Sequence, residues 1–219
     1  ETLDNPIVIL ASIALHQELT PKTAKLPDII TAELIENHWD TACQSVQLAL
    51  QYLDRYCGAG ITGGTTSYLA YEPLIAPLSA MIRNIPLPEG DGREEIQRIA
   101  DYKNRLKSWY YTSAVVGRYG QGTDSKQMQD FTNMSVWFSR HGGNWFDNSP
   151  TWMVESGAQP WNMMGAIYKA TLSMLNSRLP MDWMATDQIV GYGVQATESD
   201  LHHVFPRAYM VAMIQEQHG

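Results

Sequence analysis

The stretch "DIITAELIENHWDTACQSVQLALQYLDRY", residues 28 to 56, decides the fold class of this 219-residue chain. Its apolar residues return at intervals of three and four, the spacing that places side chains on one face of an α-helix. The stripe consists of Trp39, Cys43, Val46, Leu50 and Leu53. Gly58 and Gly60 follow, and glycine commonly stands just beyond the end of a helix. We therefore predict one long helix from Pro27 to about Tyr56.

The same spacing predicts helices along most of the remaining chain. They are expected to start at Thr66 or Ser67 (with Leu69 on the apolar face), at Arg93 (with Leu106 and Trp109), near Asp124 (with Phe131) and at Trp161 (through Gly165 to Asn176). The segments "NIPLPEGDG" at 84–92 and "RHGGNWFDNSP" at 140–150 are rich in turn residues and separate these helices.

The composition changes near the C-terminus. The segment "GYGVQATESDLHHVFP", residues 191 to 206, is punctuated by glycine and is typical of short strands. The predicted fold is therefore mainly α: a multi-helix domain over residues 1–188, followed by a short β-containing segment over residues 189–219.

Charge and composition restrict the function. Acidic residues outnumber basic ones by 23 to 15, and the net charge of −8 argues against a broad nucleic-acid-binding face. Any DNA contact would be local or supplied by sequence outside this chain. No apolar run approaches the ~18 residues of a membrane span. Cys43 and Cys57 would lie about 21 Å apart on one helix, too far to pair, which fits a reducing cytoplasm. The first methionine is Met81, so we expect the chain to be a piece of a longer protein.

The segment "DLHHVFP", residues 200 to 206, contains the residues best suited to catalysis. Hydrolysis of a phosphodiester needs a base that activates water and a cation that takes up charge on the leaving oxygen. Neighbours on a regular strand point to opposite faces, but two can converge where a strand ends, as Pro206 indicates. The alternative is that one of His202 and His203 packs in the interior and the other is solvated.

"DLHHVFP" resembles the first strand of the His-Asn-His (HNH) nuclease finger, in which a β-hairpin and a helix bind one metal ion. More closely, it is similar to the C-terminal HNH domain of GmrSD-type modification-dependent restriction endonucleases. "VVGRYGQGTDSKQMQDF" (Val115 to Phe131) resembles the "RYS…D" signature of that family's helical middle region. The lead-in "GAIYKATLSML…RLPMDWMATDQI" fits the same family. The resemblance covers most of the chain in order.

The resemblance implies a role for each residue of the segment. His202 matches the metal ligand and His203 the general base, while Asp200 matches an acid that steadies the pair and Arg207 would lie near a phosphate. The metal would be a divalent cation, with magnesium the default and manganese, nickel or zinc the alternatives for an imidazole ligand. The parent would be a bacterial endonuclease that acts on DNA in phage defence.

Several parts of that enzyme are expected to lie outside this chain. The family's nucleotide-binding domain, with its Asp-Gly-x-Gln-Arg motif, would precede it. Only 13 residues follow Pro206, too few for a second strand and a helix with an Asn and further ligands. The HNH segment is therefore expected to be incomplete, and the chain alone to be inactive.

Two alternatives stay open at the sequence level. Arg118 would contact nucleic-acid phosphate, or it would only complete the C-terminal end of a helix, where the helix dipole favours a cation. The chain as a whole would belong to a nuclease, or it would be a non-catalytic α-helical scaffold or nucleic-acid-sensing module.

Overall fold

The computed structural model describes residues 6–61, 68–84, 93–139 and 165–179, with the side chains of 84, 93–100 and 137–139 left out. The helices are α1 (Pro6–His16), α2 (Leu26–Ile29), α3 (Ala32–Cys57), α4 (Ile75–Asn84), α5 (Arg93–Val115), α6 (Thr123–Ser139) and α7 (Ala166–Asn176), with 3-10 turns at Thr23–Lys25 and Glu72–Leu74. The prediction of a mainly α-helical fold is confirmed, and these four ranges contain no strand. The predicted boundary at residue 188 and the β-containing segment at 189–219 lie outside them.

Helix α4 forms the centre of the core. It contacts α1, α3 and α6, and every residue from Leu74 to Met81 is buried. Burial of apolar side chains is the main force that holds such helices together. Ser79 is the polar exception: its hydroxyl bonds to Ser12 Oγ of α1 at 2.7 Å and to the Ala76 carbonyl at 2.8 Å. A buried hydroxyl is tolerated here because its hydrogen bonds are made inside the core.

The stripe predicted on α3 is confirmed, since Val46, Leu50 and Leu53 are buried against the neighbouring helices. The predicted start at Pro27 is wrong, because Thr31 interrupts the helix. Thr31 adopts an extended conformation and its side chain accepts a hydrogen bond of 3.3 Å from the Leu34 amide. Threonine in this position satisfies an otherwise unpaired N–H group, and a new helix therefore starts at residue 32.

The end predicted for α3 is confirmed, and it is also where α7 docks. Gly58 has φ +67°, and a Cβ atom placed on it would collide with the Ser173 carbonyl and the Ser177 amide of the α7 end. The hydroxyl of Ser173 donates to the Cys57 carbonyl, and Asn176 Nδ2 donates to the Gly58 carbonyl at 2.9 Å. Glycine is required here both by its backbone angle and by this close approach.

Two residues that were predicted to lie within helices, Leu69 and Gly165, are not helical. Leu69 is not helical: the next helical turn begins at Glu72, and in a continuous helix the Pro73 ring would clash with the Leu69 carbonyl, four residues earlier. Gly165 is extended, with φ −80° and ψ 157°, so α7 begins at Ala166. The predicted starts at Thr66 or Ser67 and at Trp161 lie outside the described ranges.

Two expectations from composition concern the described helices. None of these helices combines the length and the apolar character that crossing a bilayer requires. Cys43 and Cys57 both lie on α3 and are free thiols, as their spacing predicts. Burial raises the pKa of the Cys57 thiol to about 12, so this group stays protonated and unreactive at neutral pH.

Candidate functional site

Arg118 and Tyr119, in the turn between α5 and α6, form a polar cluster with Asp130 of α6. Gly117 ends α5 with φ +63°, and the Arg118 amide closes the helix by donating to the Ser113 carbonyl at 2.9 Å. A left-handed glycine followed by this bond is the Schellman form of helix end. The turn that results places Arg118 and Tyr119 beside α6.

Asp130 is the centre of the cluster and has no exposed surface. One carboxylate oxygen, Oδ1, lies 2.7 Å from Arg118 Nε and 2.5 Å from Arg118 Nη2. The other oxygen, Oδ2, accepts hydrogen bonds from the Tyr119 hydroxyl at 2.6 Å and from Trp109 Nε1 at 3.0 Å. A buried carboxylate needs both a counter-ion and hydrogen-bond donors, and Asp130 has both.

The Tyr119 hydroxyl is held in its protonated form. Burial first, and the adjacent Asp130 carboxylate second, raise the pKa of Tyr119 well above that of an ordinary phenol. Tyr119 therefore keeps its proton at neutral pH and donates it to the hydrogen bond with Asp130. The Tyr71 ring packs against the Tyr119 ring, with their centroids 6.2 Å apart.

The arrangement favours positioning over proton transfer. Both oxygens of Asp130 are engaged and inaccessible, so this carboxylate cannot take a proton from a bound water molecule. Arg118 has 18% of its side chain exposed, and its Nη2 also donates to Gln129 Oε1 at 3.0 Å. The backbone of Arg118 thus ends α5, while its guanidinium joins the turn to α6.

The predicted catalytic, metal-binding and phosphate-binding residues, Asp200, His202, His203 and Arg207, all lie outside the described residues. Within the described ranges, no three His, Cys, Asp or Glu side chains come close enough to hold a metal ion. Arg118 is therefore the one predicted site residue whose surroundings the structure describes.

Asp130, Tyr119 and Trp109 were not predicted from the sequence as members of a cluster with Arg118. A signal was present: Arg118 and Asp130 lie at the two ends of the segment that resembles the family signature. Trp109 carried no such signal, because an apolar face predicts that a tryptophan is buried but not which group its N–H bonds.

Comparisons with known proteins give a distant relative. The chain is similar to an uncharacterized protein of Methanocaldococcus jannaschii, with 23% identity over 220 residues. The match covers 94% of this chain and 33% of that protein, so the chain spans about a third of the length of the curated relative it matches. No family model and no solved structure matches the chain.

Proposed function

We propose that this chain is the helical region and the start of the nuclease finger of a metal-dependent DNA endonuclease of the GmrSD type. The parent enzyme would act in the bacterial cytoplasm against foreign or modified DNA. DNA is its substrate, and a nucleotide-binding domain and the remainder of the finger complete it.

The observation that carries the proposal is the convergence of the signature-like segment. Arg118, Tyr119 and Asp130 are separated by up to 12 residues in sequence, yet they meet in one buried hydrogen-bonded unit. A chance likeness of letters does not require its members to touch. Their contact supports the view that the segment is a genuine element of the family's helical region.

In the proposed mechanism, two adjacent histidines have separate roles. His203 removes a proton from the attacking water molecule, and Asp200 steadies the imidazole pair. A divalent cation, when bound, would stabilise negative charge on the leaving 3′ oxygen, and His202 would contribute one of its ligands. Arg207 would bind a phosphate beside the scissile bond.

Metal dependence separates the two histidine roles. In the full-length protein, His202→Ala should raise the magnesium or manganese concentration needed for half-maximal cleavage, because one ligand is lost. His203→Ala should reduce the maximal rate without that shift. If both variants cut modified-cytosine DNA with wild-type metal dependence and rate, the proposal is wrong.

A second candidate function is favoured by the engagement of Arg118. Its guanidinium is held by Asp130 and Gln129, an arrangement that suits a rigid scaffold. The chain would then be a non-catalytic helical module that senses nucleic acid. In that case neither histidine substitution changes any reaction, and DNA binding alone is observed.

A further inference from the structure

One face of the helical domain carries cations interleaved with tyrosines, although the chain as a whole is acidic. Its members come from the C-terminal end of α3 and the middle of α5, two helices in contact. We call this surface the basic–aromatic patch; it consists of Arg55, Tyr56, Lys103, Lys107 and Tyr111.

Lys103 and Tyr56 form the centre of the patch. Lys103 Nζ donates a hydrogen bond of 3.2 Å to the Tyr56 hydroxyl and lies 4.8 Å from the centroid of the Tyr56 ring. The hydrogen bond from Lys103 is the largest of the effects that lower the pKa of Tyr56. The Tyr56 side chain still has 37% of its surface exposed, so an aromatic ring and a cation are offered to solvent together.

The patch continues one helical turn along α5. Lys107 Nζ lies 6.0 Å from the centroid of the Tyr111 ring. The Tyr111 hydroxyl donates to the Cys57 carbonyl at 2.9 Å, which fixes this ring against the end of α3. Arg55, in the last turn of α3, is exposed beside Tyr56.

No acid in the described part of the chain neutralises the cations of the patch. In the described ranges, Arg55, Lys103 and Lys107 form no ion pair with a carboxylate. The neighbouring acids have other partners: Asp101 pairs with Arg105 at 2.7 Å, and Asp54 accepts from the Ile61 amide at 2.9 Å.

A purely structural explanation accounts for only part of the patch. The negative end of the α3 dipole favours a cation in its last turn, which explains Arg55. Lys103 and Lys107 lie in the middle of α5, far from either end of that helix, so the helix dipole does not explain a cation at either position. Each of them instead lies near a tyrosine ring, Lys103 over Tyr56 and Lys107 over Tyr111.

We propose that the basic–aromatic patch binds the phosphodiester backbone of DNA. Lysine and arginine bind phosphate through charge and hydrogen bonds, and an exposed tyrosine ring offers a surface on which an unpaired base stacks. A local contact of this kind is compatible with an acidic chain. The inference rests on the proposed function, since it names the surface by which the enzyme would hold its substrate.

The test measures DNA binding by the full-length protein in EDTA, so that cleavage plays no part. Fluorescence anisotropy of a labelled oligonucleotide, as single strand and as duplex, is followed across a salt series. Lys103→Gln with Lys107→Gln should weaken binding at low salt by roughly tenfold per lysine and reduce the slope of log affinity against log salt by about 1 per lysine. Lys22→Gln with Lys25→Gln removes the same charge from two exposed positions, one just before the 3-10 turn and one at its end, and should change neither quantity.

Substitution of Tyr56 separates stacking from charge. Tyr56→Ala should weaken single-strand binding by about tenfold, whereas Tyr56→Phe keeps the ring and should bind within a factor of about two of wild type. If the lysine variant folds poorly, Arg55→Gln tests the same charge effect at an exposed position, and it should also lower DNA affinity and the salt slope. Unchanged affinity and salt slope in these variants would overturn the inference, as would wild-type binding to phosphatidylserine vesicles but not to DNA.

The two proposals fail in different ways. If DNA binding depends on the patch but no metal-dependent cleavage is seen, the proposed binding surface is supported and the proposed nuclease activity is rejected. If cleavage depends on His203 but substitutions in the patch change neither cleavage nor DNA binding, the nuclease proposal is supported and the binding surface is rejected.

Discussion

The guanidinium of Arg118 and the carboxylate of Asp130 form an ion pair that joins the end of α5 to the interior of α6. Arg118 Nε lies 2.7 Å from Asp130 Oδ1, and Asp130 is completely buried. Charges removed from water in this way are costly, and the pair is stable only while both members and their hydrogen-bond donors are present. Removal of any one of these groups should therefore destabilise the turn between the two helices.

Arg118→Ala should destabilise the fold by about 3 to 5 kcal/mol, because it leaves the Asp130 carboxylate buried without a counter-ion. The measurement is the free energy of unfolding in urea. Adding Asp130→Asn to Arg118→Ala should recover part of that loss, since the uncompensated charge is then gone. If the loss in the double variant equals the sum of the losses measured separately in Arg118→Ala and Asp130→Asn, the two groups do not interact.

Tyr119→Phe should cost about 1.5 to 3 kcal/mol, the range for a buried hydrogen bond to a charged group. The Tyr119 hydroxyl is one of two donors to Asp130 Oδ2, and its removal leaves that oxygen with Trp109 alone among the bonds described above. Tyr71→Phe, in the ring that packs on Tyr119, is the matched control and should be close to neutral. If the two variants unfold at the same urea concentration, the Tyr119–Asp130 bond contributes nothing.

Gly58→Ala should destabilise by more than about 2 kcal/mol, the upper cost of a left-handed backbone at a residue with a Cβ atom. The excess arises because the new methyl group collides with the α7 backbone at Ser173 and Ser177. Gly122→Ala is the control: its φ, +63°, is also in the left-handed region, but the nearest atom, Ser125 Oγ, is 3.7 Å away. A difference between the two in thermal unfolding isolates the packing of α3 on α7; no difference would mean that α7 does not dock there.

Stability should fall steeply above pH 10, because several buried phenols cannot ionise in the folded state. Burial raises the pKa of Tyr52, Tyr110 and Tyr119 above the ordinary value of about 10. Below that pH the phenols are neutral in both states and contribute no pH dependence. Above it the unfolded chain loses protons that the folded chain retains, so each phenol lowers the free energy of unfolding by up to about 1.4 kcal/mol per pH unit.

The measurement for this effect combines absorbance at the phenolate band with circular dichroism. The chain has 11 tyrosines. A subset of them should titrate only as helical structure is lost. If all tyrosines ionise around pH 10 while the helical signal is intact, these three side chains are not buried as described.

Much of the fold followed from local chemistry. The apolar stripe of α3 and its end at Gly58 were predictable because periodicity and glycine act within a few residues. The same is true of the turn from Gly117 to Gly122. The errors were also local: Thr31 capped a new helix, and Pro73 prevented helix at Leu69. In each case a single side chain overrode an apolar pattern that would otherwise have continued.

Side-chain partnerships over long sequence distances could not be predicted in the same way. The contact of Lys103 with Tyr56 spans 47 residues, and that of Ser173 with the Cys57 carbonyl spans 116. Such pairs depend on how the helices cross, which the pattern of one helix does not specify. The nuclease prediction depends on His202 and His203, and it rests on their chemistry and on the family resemblance. It stays a prediction until cleavage is measured.

Single-turnover cleavage of modified-cytosine phage DNA by the full-length protein tests the central claim most directly. With magnesium or manganese present, the wild type should cut, EDTA should stop the reaction, and His203→Ala should leave DNA binding intact while removing cleavage. His141→Ala, a histidine outside the proposed site, should cut at the wild-type rate. Cleavage by His203→Ala at the wild-type rate, or the absence of cleavage by the wild type with either metal, would contradict the account.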